Sequence, residues 1–225
     1  MPAVSDPSPR ARSPLSRGQI LQVAIEMADA RGLKSLTMRN LGHVLDVEAM
    51  SLYNHIEDKN DILDGIVDLV LSEIELRPAS ENWKLAMREM AISAHETLKR
   101  HPWSCELVLS PKPPRMIQAR TRYIEAILAC FRVAGFSPAA ASRGYHAIDS
   151  HVLGFTLWAL GHSMSDDVSS EFLETFVRQF DFVTYPYLGE HVRQHLVESD
   201  VEEIGEFEFG LDLILDGLER LKETA

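Results

Sequence analysis

The amino-acid sequence predicts an all-α protein. Apolar residues recur at the three- and four-residue spacing of amphipathic helices along most of the 225 residues. Two segments carry helix-start signals, because Ser16 forms a capping box with Gln19 and Ser137 precedes a proline at the first helical position. Gly32 and Gly135 stand where the preceding helices are expected to end. These observations together predict helices separated by short connections.

Length and composition are those of a globular chain with a sizeable core, since 45% of the 225 residues are hydrophobic. There is no run of about 18 apolar residues, so we expect no membrane span. The N-terminal residues lack the apolar segment of a secretory signal. Cys105 and Cys130 are too few for a disulfide framework. We expect two buried thiols in a reducing cytoplasm, with a redox disulfide as the alternative.

Acidic residues are concentrated in the C-terminal part of the chain. Residues 1–60 contain seven Lys/Arg and seven Asp/Glu, whereas residues 61–225 contain 15 and 27, which accounts for the net charge of −12. So acidic a chain does not bind DNA indiscriminately, and any DNA binding should be strongly salt-sensitive. Residues 1–15, with four prolines, Arg10 and Arg12, are predicted to be a disordered arm. The arm is either a passive tail or a minor-groove contact.

Residues 16–60 predict three helices. The first runs from Ser16 to Gly32. Its expected buried stripe is Ile20, Val23, Ala24, Met27 and Ala28. The other two are short, and they are joined by a tight turn.

Thr37 is a suitable N-cap for the second helix. Its apolar face is expected to comprise Leu41, Val44 and Leu45. Asp46 tolerates the left-handed backbone of a tight turn, and a third helix should run from Glu48 to Asn54 or His55. This pattern is either an ordinary helical hairpin or a helix-turn-helix whose outer face reads the major groove.

Residues 61–225 predict a second, larger helical domain. Helices are expected at about residues 58–75, 81–100, 115–134, 138–163 and 203–223. Asp58 should cap the first of them. Residues 103–109 form a short apolar segment between prolines, and residues 171–184 and 187–197 are also predicted to be helical.

Small residues recur on two of these helices. Ala147, Gly154 and Gly161 are seven residues apart, and Gly210 and Gly217 repeat this spacing. Glycine inside a helix costs about 1 kcal/mol relative to alanine, so close approach of another helix is the simplest reason. We predict a two-fold four-helix dimer interface. It would also include Leu211, Ile214 and Leu218, and packing within one chain is the alternative.

The larger domain also contains candidates for an apolar ligand pocket. The apolar candidates are Met87, Met90, Trp103, Tyr123, Phe155 and Trp158. His95, His146 and Asp149 are candidate orienting groups. The alternative for each of these residues is an ordinary place in the core.

Enzymatic and metal-binding functions find little support. No GxSxG, P-loop, dinucleotide-binding glycine fingerprint or HExxH motif occurs, so no catalytic residues are predicted. His146 and Asp149 share a helical face that excludes His151. His191 and His195 have zinc-compatible spacing but no nearby third ligand. We therefore expect no metal and no cofactor. A helical small-molecule carrier or enzyme remains the rival function.

Residues 16–74 resemble the DNA-binding domain of the tetracycline-repressor (TetR) family. The resemblance rests on Leu-Thr-Met-Arg at 36–39, Leu-Tyr at 52–53, His55, Lys59 and Asp-Ile-Leu at 61–63. It implies an N-terminal helix-turn-helix DNA-binding domain at residues 16–60, followed by a ligand-binding and dimerisation domain at 61–225.

The resemblance also implies roles for individual residues. Tyr53 matches a position that contacts a phosphate, and His55 and Lys59 match positions against the DNA backbone. Ala49, Met50, Ser51 and Asn54 match positions that face bases. Arg39 matches an arginine that reaches DNA, and Thr37 and Glu48 complete the predicted DNA-binding set.

This sequence departs from the family pattern at two positions. Asp46 stands where glycine is usual in the turn, and Glu48 stands where serine or threonine usually caps the recognition helix. Glu48 is expected either to cap that helix or to accept a hydrogen bond from cytosine, and we favour capping.

Residues 81–163 more loosely resemble the effector domain of the tetracycline-repressor subgroup. The matching strings are His-Pro-Trp at 101–103, Ala-Gly-Phe-Ser-Pro at 134–138, Tyr-His at 145–146 and His-Val-Leu-Gly-Phe at 151–155. The resemblance implies a ligand cavity in each subunit. The tetracycline-binding member of the family holds its drug through magnesium, using a histidine and a glutamate. Val108 and Trp158 align with these two residues, so magnesium-tetracycline is not expected as the effector. We therefore expect a homodimeric, ligand-responsive transcriptional repressor that binds palindromic operator DNA and is released by a small apolar or aromatic effector.

Overall fold

The computed structural model describes residues 15–80, 82–110, 117–162, 182–196 and 203–223. These ranges contain ten α-helices and no strand, which confirms the predicted all-α class. The helices are α1 (Arg17–Arg31), α2 (Met38–Leu45), α3 (Ala49–Leu52), α4 (Lys59–Leu71), α5 (Trp83–Arg100), α6 (Trp103–Val108), α7 (Gln118–Val133), α8 (Pro138–His162), α9 (Pro186–Leu196) and α10 (Glu203–Glu223). No helix in these ranges combines the length and hydropathy needed to cross a membrane.

The chain divides into two compact units between Ile66 and Val67, inside α4. The predicted domain boundary after residue 60 lies earlier in the same helix. The predicted arm at residues 1–14, most of the predicted helix at 171–184 and the acidic segment at 198–202 lie outside the described residues. Residues 182–184 form a turn.

The first helix begins as the sequence predicts. The Gln19 amide donates to Ser16 Oγ (3.3 Å) and the Ser16 amide donates to Gln19 Oε1 (3.0 Å), which completes the capping box. The helix ends at Gly32, whose φ of 71° suits glycine. The buried stripe differs from the predicted one. Leu21 and Ile25 join Ile20, Ala24 and Ala28 in the core, while Val23 and Met27 are only half-buried.

The turn after α2 is a Schellman motif centred on Asp46. The Val47 amide donates to the Gly42 carbonyl (2.9 Å) and the Asp46 amide to the His43 carbonyl (3.2 Å). Asp46 has φ 56° and ψ 46°, so the predicted left-handed turn is confirmed. Val44, predicted to lie on the apolar face of α2 with Leu41 and Leu45, is 55% exposed. The residue that lies on the inner face of α2 next to the turn is Gly42, which is buried.

Gly42 allows α2 and α3 to cross at close range. A Cβ atom at this position would lie 2.9 Å from the Val47 carbonyl oxygen and 3.2 Å from the Ala49 nitrogen. Both are backbone atoms, so they cannot move aside as a flexible side chain could. The helix-turn-helix geometry therefore depends on the missing side chain at Gly42.

The predicted cap of α4 is also confirmed, since the Asp61 amide donates to Asp58 Oδ1 (2.8 Å). Asp61 in turn pairs with Arg17 of α1 at 2.8 Å. A Cβ at Gly65 would meet Leu21 at 2.8 Å, so α1 and α4 also cross closely. The helix ends at Leu71, four residues before the predicted end.

In the larger unit, α7 and α8 pack tightly where Gly144 faces Phe131. A Cβ at Gly144 would lie 2.6 Å from the Phe131 ring. Phe131 also contacts Trp83 of α5 (5.6 Å between ring centroids) and Phe136 (5.0 Å), which ties three elements into one aromatic core. Residues 103–108, predicted only as an apolar segment, form the helix α6.

Ion pairs hold α10 against α5. Arg88 pairs with Glu208 and with Asp212 (3.1 Å), and Lys84 pairs with Asp216 (2.8 Å). The hydrogen bond to Asp216 is the largest of the interactions that raise the pKa of Lys84. Ion pairs that are at least partly exposed, as these are, stabilise a fold only modestly.

Candidate functional site

The predicted DNA-contacting residues all lie at least partly on the surface of the smaller unit. Met50 is 76% exposed, while Leu52 of the same helix is fully buried. The exposed members of the set are Thr37, Arg39, Glu48, Met50, Tyr53, Asn54, His55 and Lys59, and the half-buried members are Ala49 and Ser51. The side chains are thus available to a ligand as large as a DNA duplex.

The recognition helix is shorter than predicted. α3 ends at Leu52, and Tyr53 follows as its C-cap residue. The Asn54 amide donates to the Ser51 carbonyl (3.3 Å) and the His55 amide to the Leu52 carbonyl (2.9 Å), so a tight turn replaces the last helical turn. Tyr53, Asn54 and His55 therefore project from a turn and not from a helix.

The favoured capping role for Glu48 is wrong. The residue occupies the N-cap position with extended backbone angles, but its side chain makes no capping hydrogen bond. Its carboxylate is exposed instead. By contrast, Thr37 caps α2 as predicted, because its Oγ1 accepts from the Asn40 amide at 3.1 Å.

The predicted ligand-binding residues differ in burial. Met87, Met90, His95, Trp103 and Tyr123 are buried in the larger unit, and Asp149 and Phe155 are half-buried. His146 and Trp158 are exposed on α8, with 46% of the Trp158 surface accessible. The structure therefore does not support these two as walls of an enclosed pocket.

An aromatic stack joins α5, α8 and α10 around His95. The Phe207 ring stacks on His95 (4.3 Å between centroids) and on His151 (4.9 Å). Thr156 donates its hydroxyl proton to the Val152 carbonyl (2.6 Å), so it accepts from His95 Nδ1 at 2.8 Å. Sequence reasoning missed Phe207 and Thr156 as partners of His95.

A polar cluster lies between α7 and α8. Arg120 pairs with Asp149 at 2.8 Å, and the Tyr145 hydroxyl lies 3.3 Å from each of them. Sequence reasoning missed Arg120 and Tyr145. The four-residue spacing of Tyr145 and Asp149 was the available signal for part of the cluster.

Tyr123 is buried beside this cluster with only 3% of its surface exposed. Its hydroxyl has no hydrogen-bond partner in the part of the chain that the structure describes. Burial, followed by the charge of Asp149, raises the pKa of Tyr123 well above its usual value. The phenol is therefore a neutral hydrogen-bond donor at physiological pH.

The larger unit also contains a cap that crosses between helices. The Ala119 amide, in the first turn of α7, donates to Asp68 Oδ1 of α4 at 2.7 Å. Asp68 thereby satisfies one of the amides left unpaired at the start of α7. The same helix α7 carries Arg120 and Tyr123.

The predicted dimer residues separate into an inner and an outer set. Gly210 is explained within the chain, since a Cβ there would meet His151 at 2.6 Å. Leu211 and Leu218 are buried in the subunit's own core, so their assignment to a dimer surface is wrong. Ala147, Ile214 and Gly217 are half-buried, and Gly154 and Gly161 are exposed.

An exposed apolar surface lies outside that core on α8 and α10. A Cβ added at Gly154, Gly161 or Gly217 would meet no described atom within 4 Å. The large exposed residues around them are Leu157, Trp158, Phe209, Leu213 and Leu221. We call these eight residues the outer face.

The remaining candidates carry other contacts. Cys105 and Cys130 are both buried and unbridged, as predicted, and burial raises the pKa of each thiol. His151 Nε2 lies 2.9 Å from the Phe207 carbonyl. The described residues contain no group of three or more His, Cys, Asp or Glu side chains that could hold a metal ion. The side chain of His195 lies outside the described part of the chain.

Comparison with known proteins gives consistent matches. A family model described as "Tetracyclin repressor-like, C-terminal domain" matches residues 77–221. The chain is 27% identical to the HTH-type transcriptional repressor DrrR1 of Streptomyces coeruleorubidus, over 96% of this chain and 81% of that protein. It is 30% identical to the HTH-type transcriptional repressor Rv1353c of Mycobacterium tuberculosis, over 96% and 85%.

Solved structures match as well. Apo ActR from Streptomyces coelicolor superposes with a TM-score of 0.75 at 25% identity, over 96% of this chain and 100% of that chain. ActR in complex with actinorhodin superposes with a TM-score of 0.72 at 24% identity, over 93% and 99%.

Proposed function

This chain belongs to the tetracycline-repressor (TetR) family of transcriptional regulators, and we propose that it is a homodimeric repressor of its operator DNA, released by a small apolar effector. The observation that carries the proposal is the exposed surface of α3 and the following turn, presented on a compact helix-turn-helix. Regulators of this family are generally not enzymes. The proposal places the protein in the cytoplasm.

The DNA-binding part of the proposal follows from side-chain chemistry. Met50, Ser51 and Asn54 face bases in the major groove, where apolar and amide groups can distinguish base pairs. Tyr53 donates its hydroxyl to a phosphate, with Lys59 and His55 against the same backbone. Glu48, whose carboxylate is exposed, accepts a hydrogen bond from a cytosine amino group in this proposal.

The dimer part rests on the outer face. Phe209, Leu213, Gly217 and Leu221 are four residues apart on α10, and Gly154, Leu157, Trp158 and Gly161 share one face of α8. Two copies of these helices would form a two-fold four-helix bundle, with the glycines allowing close approach. The bundle sets the two recognition helices about 34 Å apart, one turn of DNA.

The effector part rests on the buried residues of the larger unit, with Met87, Met90, Trp103 and Tyr123 as the wall of a site. The same fold holds actinorhodin in ActR. An effector that prefers one orientation of α4 changes the distance between the recognition helices. A coupling of about 1–3 kcal/mol would change operator affinity roughly 5- to 150-fold.

Asp68 is the contact through which α7 acts on α4 in this scheme. We expect Asp68→Ala to lower the free energy of unfolding by about 1–2 kcal/mol, because the Ala119 amide loses its acceptor. Thermal unfolding of the two proteins measures the difference. Asp68→Asn retains an acceptor and should lose less. Equal stability of all three proteins would show that the contact does not hold α7.

Footprinting on the DNA that flanks the gene tests the proposed function. Wild-type protein should protect two inverted half-sites at low and moderate salt. Tyr53→Phe removes one hydroxyl and should weaken operator affinity roughly 10- to 100-fold, as expected for a hydrogen bond to a charged group. Tyr187→Phe, at an 82% exposed position on α9, is the matched control. Equal affinity of Tyr53→Phe and wild type would contradict the phosphate contact.

A further inference from the structure

The Tyr123 hydroxyl is a buried donor that finds no acceptor among the described residues. The side chain is 3% exposed, and its oxygen has no hydrogen-bond partner among the described residues. A buried polar group without a partner destabilises the folded state, so such groups are rare in native proteins. An unused donor in this position is therefore a candidate ligand contact.

Its surroundings decide what kind of ligand group could accept from it. Arg120 and Asp149 pair at 2.8 Å, so their charges cancel. Tyr145 lies within hydrogen-bond distance of both and adds no charge. Since Arg120 is already paired, a carboxylate placed here would be buried without a positive charge to neutralise it. Burial of such an uncompensated charge is costly. An uncharged acceptor does not incur this cost.

The rest of the buried face of α7 is almost entirely apolar. It comprises Ala119, Ile127, Cys130 and Phe131. Of the side chains buried on this helix, only Tyr123 is hydroxylated, so it offers a single directional contact in apolar surroundings. Such a site favours a ligand with an apolar body and one well-placed acceptor.

We propose that Tyr123 donates its hydroxyl to an uncharged carbonyl oxygen of the effector, and that the neutral Arg120–Asp149–Tyr145 cluster excludes anionic groups from the same place. The inference rests on the proposed function, since it specifies the chemistry of the effector site. It assigns the protein an apolar ketone-type ligand in preference to a hydrocarbon or a carboxylic acid.

The first measurement is the stability of the ligand-free protein. Tyr123→Phe keeps the ring and removes the unused hydroxyl, so we expect the Tm to rise by roughly 2 °C. Tyr145→Phe is the matched control, because it removes a hydroxyl that Arg120 and Asp149 use, and its Tm should fall by roughly 2–4 °C. A fall in Tm for Tyr123→Phe would mean that bound water already satisfies the hydroxyl, and it would overturn the proposal.

The second measurement is binding of three matched probes by calorimetry. The probes are 9-fluorenone, fluorene and fluorene-9-carboxylate, which differ only at the group expected to meet Tyr123. Wild-type protein should bind the ketone about 10-fold more tightly than the hydrocarbon, as for one hydrogen bond, and should bind the carboxylate most weakly. In Tyr123→Phe the preference for the ketone should disappear.

The remaining outcomes overturn the inference. Equal binding of ketone and hydrocarbon, a preference that persists in Tyr123→Phe, tightest binding of the carboxylate, or no binding of any probe would each do so. Footprinting on operator DNA is run with the same preparations. If the protein binds its operator but does not prefer the ketone, only the inference about Tyr123 is wrong. If it prefers the ketone but does not bind operator DNA, the proposed repressor function is wrong.

Discussion

A protein carrying both Leu157→Glu and Leu213→Glu is expected to be monomeric and to bind operator DNA at least about 100-fold more weakly than wild type. The two leucines lie at the centre of the outer face on α8 and α10, and Leu213 is 58% exposed in the subunit. In the proposed two-fold dimer, the two substitutions would place four new carboxylates in one apolar interface, where their desolvation and mutual repulsion oppose assembly. Light scattering gives the mass and fluorescence anisotropy gives the affinity.

Val133→Glu is the matched control for this pair. Val133 is 57% exposed at the end of α7 and is not part of the outer face. This variant should remain dimeric and bind operator as wild type does. A double variant that stays dimeric would show that another surface holds the subunits together. A monomer with unchanged operator affinity would show that DNA binding does not need the dimer.

Gly42→Val is expected to abolish specific DNA binding while the larger unit stays folded. The new Cβ would lie 2.9 Å from the Val47 carbonyl oxygen and 3.2 Å from the Ala49 nitrogen, both backbone atoms. Overpacking of this kind costs about 1–3 kcal/mol, and here relief requires that α3 move away from α2. The recognition surface is then lost with it. Anisotropy on operator DNA and thermal unfolding measure the two effects.

Gly18→Ala is the control for a glycine in a helix without such a contact. A Cβ at Gly18 meets no described atom within 4 Å, and alanine is the better helix former by about 1 kcal/mol at most. This variant should keep full operator affinity and gain slightly in stability. Specific operator binding by Gly42→Val would mean that the observed crossing of α2 and α3 is not required.

Local signals in the sequence predicted the helix boundaries well where a side chain itself forms the boundary. Ser16, Thr37 and Asp58 cap their helices through their own oxygen atoms, so residue type and spacing contain the necessary information. Asp46 likewise adopts the predicted left-handed conformation. Glu48 failed this logic, because a longer side chain at an N-cap position need not fold back.

The spacing of residue types along the chain could not predict contacts between residues that are far apart in the sequence. Phe207 packs between His95 and His151, and Asp68 caps α7 from α4. Each contact depends on how helices pack in three dimensions, which the periodicity of a single helix does not encode. The same limit applies to Gly210. A side chain at this position would clash with His151 of the same chain, so no partner subunit is needed to explain the glycine.

The seven-residue glycine pattern was only partly informative for the same reason. The pattern indicates that another structural element approaches the helix closely, but it does not identify that element. The space around the Cβ position separates them. A Cβ at Gly154, Gly161 or Gly217 would meet no described atom within 4 Å, whereas a Cβ at Gly210 would meet His151 at 2.6 Å. Leu211 and Leu218 lie on the opposite side of α10 and fill the core. Leu157, Phe209 and Leu213, which belong to the outer face, were identified only from the structure.

Selection of bound duplexes from a random DNA pool tests whether the protein is a dimeric helix-turn-helix regulator, because the pool contains candidate half-sites of every sequence, wherever the natural operator lies. We expect enrichment of one motif with two inverted half-sites whose centres are about 10 base pairs apart, and no enrichment with Gly42→Val. If the wild-type protein enriches no motif at low or moderate salt, the proposed function is wrong.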